Sequence, residues 1–140
     1  MAAAKIFIDS NVLLYLLSSN AKKADTAEAI LRTGGLISVQ VLNEIANVAL
    51  RKLGMSWAEI NQFLAPVRSL CTIESLTVET HDRGREVAER YGLSIYDSMI
   101  VSAALLAGCT TLYSEDMQHG LRVDKQLRVV NPFATPFKAL

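Results

Sequence analysis

Asp9, Glu44, Asp97 and Asp116 are the residues of this chain whose type and setting could do chemistry together. Asp9 follows Ile6-Phe7-Ile8 directly, the sharpest apolar-to-acid step in the sequence. A short oxygen-bearing side chain there also suits a helix cap ahead of Ser10-Asn11. Glu44 falls just outside an apolar helical stripe of Val41, Ile45 and Val48, where a solvated helix-edge glutamate is the commoner explanation. Asp97 opens a helical segment that is apolar or small nearly all round, so its carboxylate is expected to project between Ile100, Val101 and Ala104. An anion buried there is costly unless a helix N-terminus, a basic partner or a metal neutralises it. Ser94-Ile-Tyr-Asp97 also fits a capping pattern, which is the structural alternative. Asp116 follows the apolar run Thr110–Tyr113 by a Ser-Glu step and could equally form a turn, while its neighbour Glu115 is expected to point elsewhere into solvent.

If these acids meet, their charges repel unless divalent cations intervene. Hard carboxylate oxygens that leave coordination positions to water and phosphate are what Mg²⁺ or Mn²⁺ prefers. The chemistry that follows is metal-assisted hydrolysis of a phosphodiester, which needs no serine, cysteine or histidine nucleophile.

The elements that must position the acids can be traced by periodicity. Strands are expected at Lys5–Asp9, Leu36–Val39, weakly at Leu70–Ile73, at Thr110–Tyr113 and at Leu127–Val130, before Asn131-Pro132. Helices are expected from Val12–Leu17, over Ala21–Arg32, from about Val41 to Leu53, from a Ser56/Glu59 capping box to about Ser69 with Pro66 as a kink or early stop, over Val78–Tyr91 and over Tyr96–Ala107. Alternation of this kind points to βαβ units, hence an α/β fold with a doubly wound, mostly parallel sheet flanked by helices on both faces. In such sheets functional groups gather beyond the carboxyl ends of the strands, which is where Asp9 and Asp116 fall.

Composition excludes several other classes of function. A chain of 140 residues, 51% hydrophobic and 20% charged, makes one compact domain, 1–140. Fourteen Lys+Arg balance fourteen Asp+Glu, so neither polybasic nucleic-acid binding nor an acidic tail is indicated. Cys71 and Cys109 lack CxxC spacing and are expected as buried apolar residues of a reducing compartment. The start Met-Ala-Ala-Ala-Lys-Ile-Phe-Ile-Asp gives no leader pattern and no window suits a membrane span, so a cytoplasmic location is expected. His81 and His119 have no metal-ligand partner at helical spacing, and no nucleotide-binding glycine motif is present. Arg83, Arg85 and Arg90, interleaved with Asp82, Glu86 and Glu89, are expected to form a solvated helix face; Lys22-Lys23, Arg51 and Lys52 are comparable.

Four segments together resemble the signature of PIN-domain ribonucleases: Ile6-Phe-Ile-Asp9-Ser-Asn11, Leu42-Asn-Glu44-Ile, Tyr96-Asp97-Ser-Met-Ile-Val-Ser-Ala-Ala104 and Leu112-Tyr-Ser114-Glu-Asp116. At this length the chain is most similar to the VapC-type toxins of toxin–antitoxin pairs, over nearly its whole extent from Lys5 to about Pro132. The resemblance implies a Mg²⁺ or Mn²⁺ site, endonuclease activity on RNA, an antitoxin that blocks the site, and a homodimer. By position, Asp9, Glu44, Asp97 and Asp116 match the family's metal-site acids, and Asn11 and Ser114 match polar residues that support them. Many members carry a further acid where this chain has Gln118, which bears on occupancy of a second metal position. The competing readings are a catalytically silent binding module of the same fold and an acid-cluster phosphatase. Phosphatases of the haloacid dehalogenase type show Asp-x-Asp after the first strand, where this chain has Asp9-Ser-Asn11.

Overall fold

The computed structural model describes residues 5–134. The N-terminal Met-Ala-Ala-Ala, Pro136 and the outer ends of the expected 1–140 domain lie outside the described residues. The described chain forms a six-stranded sheet in the order β3-β2-β1-β4-β6-β5. The strands are β1 (Ile6–Ile8), β2 (Gly35–Ser38), β3 (Cys71–Glu74), β4 (Thr111–Tyr113), β5 (Arg122–Val123) and β6 (Leu127–Val130). All neighbouring pairs are parallel except β5 with β6. Between them run α1 (Ser10–Leu14), a 3₁₀ turn at Tyr15–Leu17, α2 (Ala21–Thr33), α3 (Val39–Arg51), α4 (Trp57–Leu70), α5 (Val78–Tyr91) and α6 (Ile95–Leu106).

From β1 the chain proceeds outward through β2 to β3, then crosses back to place β4 on the other side of β1. The order therefore reverses between β1 and β4, and the crevice beyond their carboxyl ends is the topological switch point. Phe7 and Ile8, whose side chains face opposite sides of the sheet, are both fully buried, so both faces are covered. Cys71 and Cys109 are buried free thiols, and burial pushes both up to about 11.

Several expectations are corrected in detail. The segment expected as one helix from Val12 to Leu17 is α1 followed by a 3₁₀ turn, starting at Ser10 because Asp9 caps it. Val39 belongs to α3 rather than to the second strand: the extended backbone ends at Ser38, the N-cap, and the helix whose buried face is Val41, Ile45 and Ala49 begins at once. Pro66 does not stop α4, which runs on to Leu70. Its missing donor frees the carbonyl of Gln62, an exposed residue whose oxygen water can reach. The strand β5 escaped the sequence because two residues carry no periodicity. It is joined to β6 through Asp124 and Lys125, both at positive φ (53° and 58°), the geometry of a tight hairpin turn.

The helix that carries Asp97 is fixed mainly by α5. Gly84 lies buried against it, and a Cβ there would come within 2.2 Å of Met99 Cε, so the two helices approach through a missing side chain. Ser102 Oγ adds a bond of 2.8 Å to the carbonyl oxygen of Thr80. At the far end of α5, Gly92 supplies the left-handed C-cap (φ 69°) that turns the chain into Ser94 and α6.

Candidate active site

Asp9 stands at the switch point, buried to 3% exposure. Its backbone N–H donates to the carbonyl of Tyr113 at 2.9 Å, which carries the β1–β4 ladder up to the acid. Its carboxylate is held from three directions. Ser10 N donates to Oδ1 at 2.7 Å, while Ser114 Oγ at 2.8 Å and Asn11 Nδ2 at 3.0 Å donate to Oδ2. Asn11 also accepts the backbone N–H of Glu115 at 2.9 Å, so one amide ties the first turn of α1 to the segment after β4.

Glu44 arrives from α3 and is half-buried. Ser10 Oγ donates to its Oε1 at 2.7 Å, which makes Ser10 the bridge between Asp9 and Glu44. Asp97, in the first turn of α6, is also half-buried, and its backbone N–H donates to the Ser94 hydroxyl at 3.1 Å. Part of the capping alternative therefore holds for Ser94 without removing the carboxylate from the crevice side of the sheet. Asp116 is exposed, two residues beyond Ser114.

The acids sense one another. Burial pushes the Asp9 carboxyl up to about 6; the bonds from Ser114 and Ser10 act against this, and repulsion from Glu44 and Asp97 adds to it. Asp97 is raised by burial first, with the Ser94 bond opposing and Asp116 contributing repulsion. A chain of like charge thus links Glu44, Asp9, Asp97 and Asp116. Among the described residues, no three acids, histidines or cysteines sit close enough to enclose a metal by themselves. Mg²⁺ does not require such a cage, because it is held by one or two carboxylates and keeps several waters. The donor chemistry fits such an ion. Two buried hydroxyls, Ser38 Oγ at the end of β2 and Ser98 Oγ, next to Asp97 in sequence, have no hydrogen-bond partner among the described residues.

Glu115 does not point freely into solvent. Lys23 Nζ donates to it at 2.8 Å and the Tyr15 hydroxyl also bonds it, and against the burial that would raise its carboxyl these two bonds hold it low. Lys23 also lies 4.6 Å from the centre of the Tyr15 ring. Arg83 and Arg90 are likewise not a purely solvated face: both pair with Asp124, which Tyr91 OH bonds at 3.0 Å, so they anchor the β5–β6 turn. Arg85 pairs with Asp82 on the exposed face, as its spacing suggested. His119 Nδ1 accepts the backbone N–H of Asn131 at 2.9 Å, and His81 is exposed. Ser10 is the residue of this site that sequence reasoning passed over; its only signal was adjacency to Asp9.

The sequence pattern of the PIN domain matches residues 6–123. This chain belongs to the PIN domain family. Solved structures share its fold at low identity. The VapC20 toxin of Mycobacterium tuberculosis, described as cleaving the sarcin–ricin loop, is 19% identical, with a TM-score of 0.66 over 80% of this chain and 90% of that one. A toxin–antitoxin complex from Klebsiella pneumoniae is 20% identical, with a TM-score of 0.68 over 93% and 98%. FitAcB from Neisseria gonorrhoeae is 17% identical, with a TM-score of 0.64 over 93% and 99%. No curated protein sequence matches this PIN domain. Among its described residues no helix is long and apolar enough to cross a membrane.

The raised Asp9 carboxyl makes metal-free stability depend on pH. The folded state holds a proton at Asp9 up to about pH 6, whereas the unfolded chain releases it near 3.8. This contribution is complete below the unfolded value and is lost as pH rises through 6. In chelator, unfolding by urea should therefore need less denaturant at pH 7.5 than at pH 5, a loss of about 1.4 kcal/mol, since the rest of the effect falls below pH 5. The window lies above the titration of Glu59 and Glu115, which are lowered and act in the opposite sense. Asp9→Asn should flatten the profile, and a wild-type profile already flat would contradict the burial of a charged carboxylate.

Proposed function

We propose that this PIN-domain chain is a metal-dependent endoribonuclease and the toxin of a toxin–antitoxin pair. The observation that carries the reading is a buried carboxylate, Asp9, immobilised by Ser10, Asn11 and Ser114 and crowded by further acids at the switch point. A protein does not gain stability by burying like charges, so the arrangement answers to a cation. Asp9, Glu44, Asp97 and Asp116 would hold Mg²⁺ or Mn²⁺, which when bound lowers the pKa of an attacking water and stabilises the departing oxygen of a phosphodiester. Ser10 fixes Glu44 relative to Asp9, and Asn11 and Ser114 keep the Asp9 carboxylate in one orientation. Asp116 is the one of the four acids that is exposed. Intact acids favour a working site over a silent module.

Mixed RNA should be degraded with Mg²⁺ or Mn²⁺ and spared with chelator. Asp9→Asn, Asp97→Asn and Asp116→Asn should each lower cleavage by orders of magnitude while circular dichroism reports an intact fold. Full activity of Asp9→Asn, in material free of other nucleases, would overturn the assignment.

Several of the solved structures that share the fold are toxin–antitoxin assemblies, which supports an antitoxin partner here. A groove of about 620 Å³ lined by Leu14, Tyr15, Leu17, Val48 and Leu53 runs up to Asn11, Glu115 and Asp116. It suits an amphipathic segment of the inhibitor, whose Arg or Lys would reach the acids and replace the cation there. Replacing that basic residue by Ala should restore cleavage more than it weakens the complex, measured on a co-purified partner. Equal inhibition without it would refute charge replacement.

A homodimer in the cytoplasm completes the proposal. Trp57 (60% exposed) and Leu70 (48%), at the two ends of α4, are left uncovered in the single chain, whereas Phe63 packs against the core. Sedimentation at micromolar concentration should report two chains, and a monomer would count against it.

A further inference from the structure

The groove on the Glu44 side of the acids differs in character from the apolar one. It encloses about 390 Å³ and is lined by Gln40, Asn43, Glu44, Asn47 and Tyr96. On α3, residues 40, 43, 44 and 47 fall at i, i+3, i+4 and i+7, so three amides share the helix face that carries Glu44. Tyr96 comes from the first turn of α6 and is 65% exposed, next to Asp97 in sequence. Asn43 and Asn47 are exposed as well. Asn47 Oδ1 accepts from Arg51 Nε at 3.0 Å, which turns its amide nitrogen to other acceptors; Gln40 Nε2 makes one long bond of 3.4 Å to Glu44 Oε2.

These properties select the occupant. No Lys or Arg is among the lining residues and Glu44 is, so a phosphate is disfavoured inside the groove. A flat, uncharged group with donors and acceptors along its edge is favoured. Its face can stack on an aromatic ring and its edge can meet side-chain amides, the two contacts by which unpaired RNA bases are recognised. The volume falls in the range of small-molecule sites, about 300–1,000 Å³. Glu44 belongs both to the groove and to the acid chain, so whatever enters lies beside the acids.

We infer that the groove between α3 and Tyr96 receives an unpaired nucleobase of the RNA, next to the phosphodiester that is cut, and so sets which sequences are cleaved. This rests on the ribonuclease reading and adds to it a specificity site made of Tyr96, Gln40, Asn43 and Asn47. A duplex cannot present a base there without unstacking it, so the substrate is single-stranded or looped RNA.

Two measurements separate this inference from the reading beneath it. The first needs no cleavage and no metal: adenosine, guanosine, cytidine and uridine are titrated separately in chelator, with ribose 5-phosphate as control, while side-chain amide and tyrosine ring signals are followed by NMR. At least one nucleoside should shift Gln40, Asn43, Asn47 and Tyr96, the control should not, and Tyr96→Ala should abolish the effect. Shifts confined to other regions, or none with any nucleoside, would overturn the inference whatever the fate of the nuclease activity. The second compares cleavage of one RNA as single strand and as duplex. Tyr96→Ala should raise KM about 10-fold or more, as expected for a lost base–aromatic stack, and Tyr96→Phe, which keeps the ring, should restore it. Asn43→Ala with Asn47→Ala should move the cleavage positions. Unchanged KM and positions, or a Tyr96→Ala effect seen only on an inhibitor complex, would assign the groove to something other than RNA.

Discussion

A carboxyl buried beside other acids is the constraint around which this end of the sheet is arranged. Asp9 lies at 3% exposure with its carboxyl raised to about 6, close enough to neutrality that small changes in its surroundings decide its charge. Three donors, from Ser10, Asn11 and Ser114, favour the ionised form, and desolvation with the neighbouring acids opposes it. The donors come from the start of α1, directly after β1, and from Ser114, directly after β4. The side-by-side pairing of those two strands, Ile8 opposite Tyr113, is therefore part of the electrostatics as well as of the core.

The parallel sheet makes this economical in chain length. Parallel strands end at one edge, so acids that follow different strands, or sit on helices entered from that edge, meet without long loops. Asp97 depends further on the close seat of α6 against α5 at Gly84. A side chain there would first meet the flexible end of Met99, and beyond it the Ser98 carbonyl at 3.4 Å from the Cβ position, so space for bulk at Gly84 is limited by α6 itself. The pairs Lys23–Glu115 and Arg83–Asp124 serve as anchors for the loop after β4 and for the β5–β6 turn, which is why these basic residues are committed within the fold rather than offered to phosphates.

The two grooves that adjoin the acids divide the surface by chemistry. One is walled by Leu14, Leu17, Val48 and Leu53 and suits an apolar helix face; the other presents amides and the Tyr96 ring and suits a flat polar ligand. Under the proposed function this separates inhibitor from substrate on the two sides of one acid chain. An inhibitor whose basic residue crosses to the acids would close the site without needing to fill the amide groove.

Local features were legible in the sequence because neighbours along the chain decide them. The apolar run ending in Asp9, the capping box of Ser56 and Glu59, the helix Val78–Tyr91 and the last strand Leu127–Val130 follow from periodicity, caps and breakers within a few residues. The four acids could be nominated from local signals of the same kind, since each lies within or shortly after an apolar segment. Other features required residues far apart to be brought together. That Ser10 joins Asp9 to Glu44, that Asn11 reaches Glu115 and Ser114 donates to Asp9, that Glu115 is tied to Lys23, and that α3 and Tyr96 enclose one groove are decided only in the tertiary structure. Hydrogen bonds and charge repulsion act over a few ångströms of space, and separation along the chain does not reveal which distant side chains the fold will place within that range.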